Sequence, residues 1–158
     1  RNHGLANRDT VSELGYNSRL DTIQAIVAFH GLKTLDEITE RRIENAAHYR
    51  EGLAGVRGIT SPLVRPEARH VYHLFMIQAE ERDKLKVFLA ERGIDTKIHY
   101  PMPLHLQPAF EHLGYHHGDF PNAERQAKRI LSLPIHQYLT PQQLEHVVHS
   151  IRDFYGQR

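Results

Sequence analysis

The stretch Ile98-His99-Tyr100-Pro101-Met102-Pro103-Leu104-His105-Leu106-Gln107-Pro108-Ala109-Phe110 gathers the side chains best suited to chemistry, two imidazoles and a phenol set among three prolines. Imidazole and phenol groups both donate and accept hydrogen bonds, and their ring faces pack against apolar surfaces. Proline removes a backbone donor and fixes φ, so the run cannot continue a ladder or a helix. Two readings stand side by side. One is a rigid loop that shapes a binding site; the other is a stiffened surface connection whose histidines satisfy local backbone groups.

Little else in the chain offers catalysis. There are 13 histidines, and their spacings argue against a metal. His146 and His149 flank the apolar face of a helix with no carboxylate in ligand position, His112 and His116 are separated by Gly114, and His116-His117 lie beside Gly118 and Asp119. None matches a metal-binding spacing, so surface and capping roles are expected instead. The absence of cysteine excludes disulfides, thiolate metal sites and cysteine nucleophiles. No Gly-x-Ser-x-Gly elbow, Walker-type lysine loop or glycine fingerprint after a strand is present. Lys and Arg (20) nearly cancel Asp and Glu (19), leaving no electrostatic footprint for nucleic acid. No apolar run approaches the ~20 residues of a membrane span, and no signal peptide is visible. Together these features fit a cytoplasmic protein. The polar loop residues make most sense completing a site that another domain or subunit begins.

The elements that must carry the loop can be read from apolar spacing. The 158 residues, 40% hydrophobic and 25% charged, suit one domain with a real core. Ser18 followed by Asp21 is a capping-box-like start, after which Leu20, Ile23, Val27 and Ile26, Phe29 recur at helical spacing up to Gly31. Thr34 with Glu37 restarts a helix whose buried stripe is Leu35, Ile38, Ala46, Tyr49 and Leu53, with Arg41, Arg42, Glu44 and Arg50 solvated. The period then changes to 2. Ile59–Val64 is a short strand candidate and His70–Ala79 a longer one, with Val71, His73, Phe75 and Ile77 on one face and His73 inside the sheet. Asp83–Arg92 reads as a helix stopped by Gly93, and Ile94–Tyr100 as the third strand. Pro108–Leu113 forms a helical turn, and Pro121–Leu131 a helix stopped by Ser132-Leu133-Pro134. Thr140-Pro141-Gln142-Gln143 opens a last helix with Leu144, Val147, Val148, Ile151 and Phe154 on its apolar face. The sum is an α+β fold, helices packed on a small sheet of about three strands, with a long N-terminal helical arm.

An ordered set of short motifs adds what physics alone does not. Arg1-Asn2-His3-Gly4, Gly15-Tyr16-Asn17-Ser18-Arg19-Leu20-Asp21 with Gln24-Ala25, His70-Val71-Tyr72-His73-Leu74 and Gly93-Ile94 come first. His99-Tyr100-Pro101 with Pro103-Leu104-His105, Gly118-Asp119-Phe120-Pro121, Ala123-Glu124 and Ile130-Leu131-Ser132-Leu133-Pro134 follow. The set resembles the DegT/DnrJ/EryC1/StrS family of pyridoxal-phosphate nucleotide-sugar aminotransferases along essentially the whole chain. The opening on Arg1 without an initiator methionine reads as the interior of a longer protein.

The resemblance implies the C-terminal part of a fold-type I aminotransferase. Residues 1–54 would be an interdomain and dimer-interface loop and helical arm, and residues 55–158 the small domain. The large domain, with the Schiff-base lysine, the aromatic over the ring and the acid that pairs with the pyridine nitrogen, would precede residue 1. None of Lys33, Lys84, Lys86, Lys97 and Lys128 sits in a context like the family's cofactor lysine, so no catalytic residue is expected in this chain. Asn17 would reach across a homodimer interface to the phosphate of the neighbour's pyridoxal 5'-phosphate; serving only as a helix cap is its other reading. His99 and Tyr100 fall where the family's small domain lines the substrate pocket, with His105 beyond the proline bend as a further candidate. Gly118–Pro121 and the Leu131–Pro134 turn look architectural. The implied reaction moves an amino group, usually from L-glutamate, to a keto group of a nucleotide-linked sugar. A dehydratase or cyclitol aminotransferase of the same family, or a binding module without the cofactor domain, are the alternatives.

Overall fold

The computed structural model describes residue 16 and residues 20–156, which fall into two compact units, Arg1–Glu37 and Ile38–Arg158. In the first unit, helix α1 (Thr22–Leu32) starts at Asp21, whose backbone N–H donates to Gln24 Oε1 at 3.3 Å. The start expected at Ser18 lies outside the described residues. None of the α1 residues is buried, although Ile23, Ile26, Val27 and Phe29 are apolar.

The second unit is built around a three-stranded antiparallel sheet in the order β1 (Ile59–Thr60), β2 (Phe75–Ala79), β3 (Ile130–Leu133). Phe75, Ile77 and Ala79 alternate into the core, while Met76 and Gln78 are half-buried on the opposite face, as a period of two requires. Helices α3 (Arg82–Glu91) and α5 (Pro141–Phe154) close the core, in which Tyr49, Phe75, Ile77, Leu85, Leu89, Leu131 and Ile151 are fully buried. α5 begins as its sequence predicts: Gln143 N–H donates to Thr140 Oγ1 at 3.2 Å and Thr140 N–H to Gln143 Oε1 at 3.0 Å.

The predicted α+β class with a three-stranded sheet holds, but its members differ from those expected. The segment Ile94–Tyr100 is not a full strand; it touches the sheet at one bridge, Lys97 to Ser132, with backbone bonds of 3.2 and 2.8 Å. The third strand is instead Ile130–Leu133, of which the sequence assigns Ile130 and Leu131 to the end of a helix and Ser132 and Leu133 to its stop. That helix, α4 (Pro121–Arg129), stops two residues early. The buried Arg82 guanidinium accounts for the stop, donating to Ala127 O at 3.3 Å and Ile130 O at 3.0 Å. It thus satisfies carbonyls that a helix end leaves orphaned, with a cation where the helix dipole favours one. Residues 70–74 also leave the predicted β2. Tyr72 has φ +48°, its N–H donates to His70 Nδ1 at 2.9 Å, and this turn interrupts the extended run. His73, expected inside the sheet, is therefore exposed, as is Val71. β1 likewise pairs only through Ile59 and Thr60, not to Val64.

Helix α2 (Leu35–Gly52) buries Ala46 and Tyr49, with Leu53 following, as expected; Leu35 is exposed and Ile38 half-buried. Arg41, Glu44 and Arg50 are solvated as predicted, but Arg42 is not. Its Nη1 donates to the carbonyls of Tyr72 (3.0 Å), His73 (3.3 Å) and Ile135 (3.0 Å). Beside it Asn45 Nδ2 donates to His136 O at 2.9 Å and Tyr49 OH to Pro134 O at 3.0 Å. Removing a charged donor from such a site costs about 2 kcal/mol or more, since the carbonyls lose their partner. Arg42→Ala should lower the free energy of urea unfolding by that amount, whereas Arg41→Ala, in an exposed pair with Glu44, should stay within about 0.5 kcal/mol.

Candidate functional site

The bridge at Lys97 delivers the chain alongside β3, and the next residues form the rim of a groove. His99 is half-buried with Nδ1 2.9 Å from the hydroxyl of Ser132, a buried residue of β3. That contact orients the ring and leaves Nε2 as the nitrogen available for a partner. Tyr100 follows through a cis peptide bond and is 80% exposed. Pro103 then leads into a 3-10 turn at Leu104–Leu106, and a second turn, Pro108–Leu113, ends at Gly114 with φ +70°.

The groove holds about 680 Å³ and opens on the face of β2 turned away from the core. Leu74, Met76 and Ile130 make its floor, Ala123, Gln126 and Ala127 of α4 one wall, and His99, Tyr100, Met102, Pro103, Leu104 and Gln107 the other. No Lys, Arg, Asp or Glu is among these residues. Its polar groups are an imidazole, a phenol and two carboxamides, of which Gln107 is turned to Met102 O at 3.4 Å. Such a lining receives an uncharged, partly apolar group and offers hydrogen bonds to hydroxyls.

Across Pro101–Pro103 lies a second hollow of about 470 Å³ that includes Leu106, His117, Glu124 and Lys128. Here Glu124 Oε1 accepts the Gly118 N–H at 2.8 Å and lies 3.1 Å from His105 Nε2. Oε2 is 3.5 Å from His117 Nδ1. The N–H of Gly118, which has φ +99°, is the largest influence on Glu124; with the two imidazoles it holds the carboxyl below the usual carboxylate range, against burial.

The structure brings His99 and Tyr100 together in the groove and leaves His105 outside it. His105 is 8% exposed in its side chain, paired with Glu124 and packed 4.7 Å from the Phe120 ring. Asn17 lies outside the described residues. Lys97 does not line the groove; its Nζ is 3.1 Å from Asp95 Oδ1. Among the described residues no cluster of three His, Asp or Glu is placed to hold a metal, and no helix is long and apolar enough to cross a membrane. Several histidines meet backbone groups instead: His146 lies 3.1 Å from Arg92 O and His149 3.2 Å from Glu145 O. Residue spacing missed Ser132 and Glu124. Their partners lie 33 and 19 positions away, and a distance that long leaves no periodic trace.

The chain belongs to the DegT/DnrJ/EryC1/StrS aminotransferase family, whose sequence model matches residues 1–152. It is 43% identical over 157 residues to the "Pleiotropic regulatory protein" of Geobacillus stearothermophilus, covering 98% of this chain and 42% of that relative. It is 42% identical over 154 residues to the dTDP-3-amino-3,4,6-trideoxy-alpha-D-glucose transaminase of Streptomyces venezuelae, covering 98% and 41% respectively. Its fold is similar to the crystal structure of S. venezuelae DesV in complex with a ketimine intermediate, with TM-score 0.92 and 40% identity over 100% of this chain and 43% of that one. The chain thus spans about two-fifths of the length of the proteins it matches. The groove supplies neither a lysine for an imine nor an acid for a pyridine nitrogen, so its residues do not by themselves fit pyridoxal phosphate.

The lowered pKa of Glu124 makes a measurable difference in acid. A carboxyl depressed in the folded state contributes stability above its unfolded value, about 4.3, and loses it as pH falls through the folded value. The difference in urea midpoint between wild type and Glu124→Gln, which cannot titrate, should therefore be larger at pH 7 than below about pH 4, where it shrinks as the carboxyl takes up its proton. A separation that does not change with pH in this range would show that ionised Glu124 adds nothing.

Proposed function

We propose that this chain is the C-terminal portion of a pyridoxal-phosphate-dependent aminotransferase, a cytoplasmic homodimer, which moves an amino group from L-glutamate to a keto group on a nucleoside-diphosphate sugar. The observation that carries the reading is the likeness, over this whole chain, to DesV captured with a ketimine intermediate. The name of the Streptomyces venezuelae transaminase supports a nucleotide-linked substrate.

In this reading residues 1–54 form the interdomain and dimer-facing arm and residues 55–158 the small domain. The exposed apolar side chains of α1, such as Ile23, Val27 and Phe29, support a covered arm in the assembled enzyme. The cofactor, when bound, supplies the electron sink for moving the amino group, and the lysine that carries it lies outside these 158 residues. Asn17 donates its amide to the cofactor phosphate of the neighbouring subunit. His99 Nε2 and the Tyr100 hydroxyl hydrogen-bond hydroxyl or diphosphate oxygens of the nucleotide sugar, while the apolar floor receives its uncharged part. His105 stands behind this rim. The name of the Geobacillus relative favours a second reading, a regulatory binding module.

Two measurements test the first reading. In the intact enzyme His99→Ala or Tyr100→Phe should raise the sugar KM about 3- to 10-fold, the equivalent of one hydrogen bond, and leave the glutamate KM nearly unchanged. Unaltered sugar kinetics in both variants would return the loop to plain architecture. The 158-residue chain mixed with pyridoxal phosphate should show no specific imine band near ~400 nm, and a borohydride-trapped adduct on one lysine would overturn the assignment of the cofactor lysine to another part of the protein.

A further inference from the structure

We infer that Glu124 and His105 are positioning residues: a buried clasp that fixes the width of the groove and so sets the affinity for the sugar substrate, without either residue touching it. The inference rests on the functional reading above for the identity of the ligand, but on geometry for the clasp.

Glu124 is on α4, the helix whose Ala123, Gln126 and Ala127 form one wall of the groove. His105 is in the 3-10 turn beside Leu104, which with Pro103 and Gln107 forms the opposite wall. The Glu124–His105 contact of 3.1 Å therefore ties wall to wall behind the lining. The same carboxylate oxygen takes the Gly118 N–H at 2.8 Å, which anchors the connection that brings the chain back into α4. Both side chains are nearly out of solvent, at 8% and 13% exposure, and the Phe120 ring covers the imidazole. A carboxylate in such surroundings accepts strongly, and a histidine facing it must carry its proton on Nε2. Neither residue lines the groove. Without the clasp, the loop wall is held by short-range bonds such as Leu106 N–H to Pro103 O and Gln107 N–H to Leu104 O, each 3.1 Å.

The test uses the intact enzyme and two independent readouts. In Glu124→Ala, amide hydrogen exchange at Leu106 and Gln107 should quicken at least tenfold while exchange in α5 stays the same, and the sugar KM should rise about tenfold with kcat and the glutamate KM within twofold. Glu124→Gln, which keeps an acceptor oxygen, should recover most of the affinity. His105→Ala should match Glu124→Ala, and the double variant should be no worse than either. If Glu124→Ala does not fold, His105→Ala carries the same comparison. Unchanged exchange at Leu106 and Gln107 overturns the clasp, and so does quicker exchange with an unaltered sugar KM or a parallel rise in both KM values. A wild-type enzyme that turns over no nucleotide-linked keto sugar defeats the functional reading instead, and exchange alone then decides for or against the clasp.

Discussion

The polar face of α2 is the interaction on which the rest of the second unit depends. Arg42, Asn45 and Tyr49 direct five hydrogen bonds to carbonyls of residues 72, 73 and 134–136. The first pair of carbonyls precedes β2 and the others follow β3, so one helix pins the entrance of one strand and the exit of its neighbour. The charged Arg42 donor contributes about 2 kcal/mol or more and the neutral Asn45 and Tyr49 bonds about 0.5–1.5 kcal/mol each, together more than exposed ion pairs, which give about 0–1 kcal/mol. The surface pairs of Arg41 with Glu44 and Lys84 with Glu81 are of the second kind. By that comparison the placement of β3 is set by α2 rather than by the charge pattern on the surface.

From β3 the constraint passes to the site. Ser132, held in register opposite Met76, bonds Lys97 through its backbone and His99 through its hydroxyl. A single strand residue thus carries both the main chain and the imidazole of the rim. The groove lies on the outer face of β2 because alternation sends Phe75, Ile77 and Ala79 inward and leaves Met76 outside. The core and the candidate site are two faces of the same strand.

What the sequence reveals divides along the range of the interaction. Helices with a clean apolar face, α3 and α5 above all, are legible from spacing within one element, and α5 also from its cap, since Thr140, Pro141 and Gln143 act within four residues of one another. The strands are less so. Nothing local in Ile130-Leu131-Ser132-Leu133 separates strand from buried helix, and the choice is made by Arg82, 48 positions from Ile130, taking the carbonyl there. Likewise an alternating run from Val71 to Ile77 looks continuous until Tyr72 turns left-handed under bonds from Arg42. At the rim, His99 and Tyr100 could be singled out by type, whereas the burial of His105 depends on a carboxylate in another element.

The chemistry of the groove also bears on how labour is divided in the proposed enzyme. A nucleoside-diphosphate sugar brings at least two negative charges, and the groove has no cation to meet them. An imidazole and a phenol can donate hydrogen bonds to such oxygens, but matching the charge in a site shielded from water requires Arg or Lys. In the proposed enzyme the cations would then come from outside the groove, leaving the residues placed here to fit and orient the uncharged part. Rigid devices suited to that division surround the groove: three prolines in the loop, a serine anchor behind His99 and a buried carboxylate behind His105. A site that contributes shape rather than charge gains affinity by being held still beforehand, since each loose wall must be ordered when the ligand arrives.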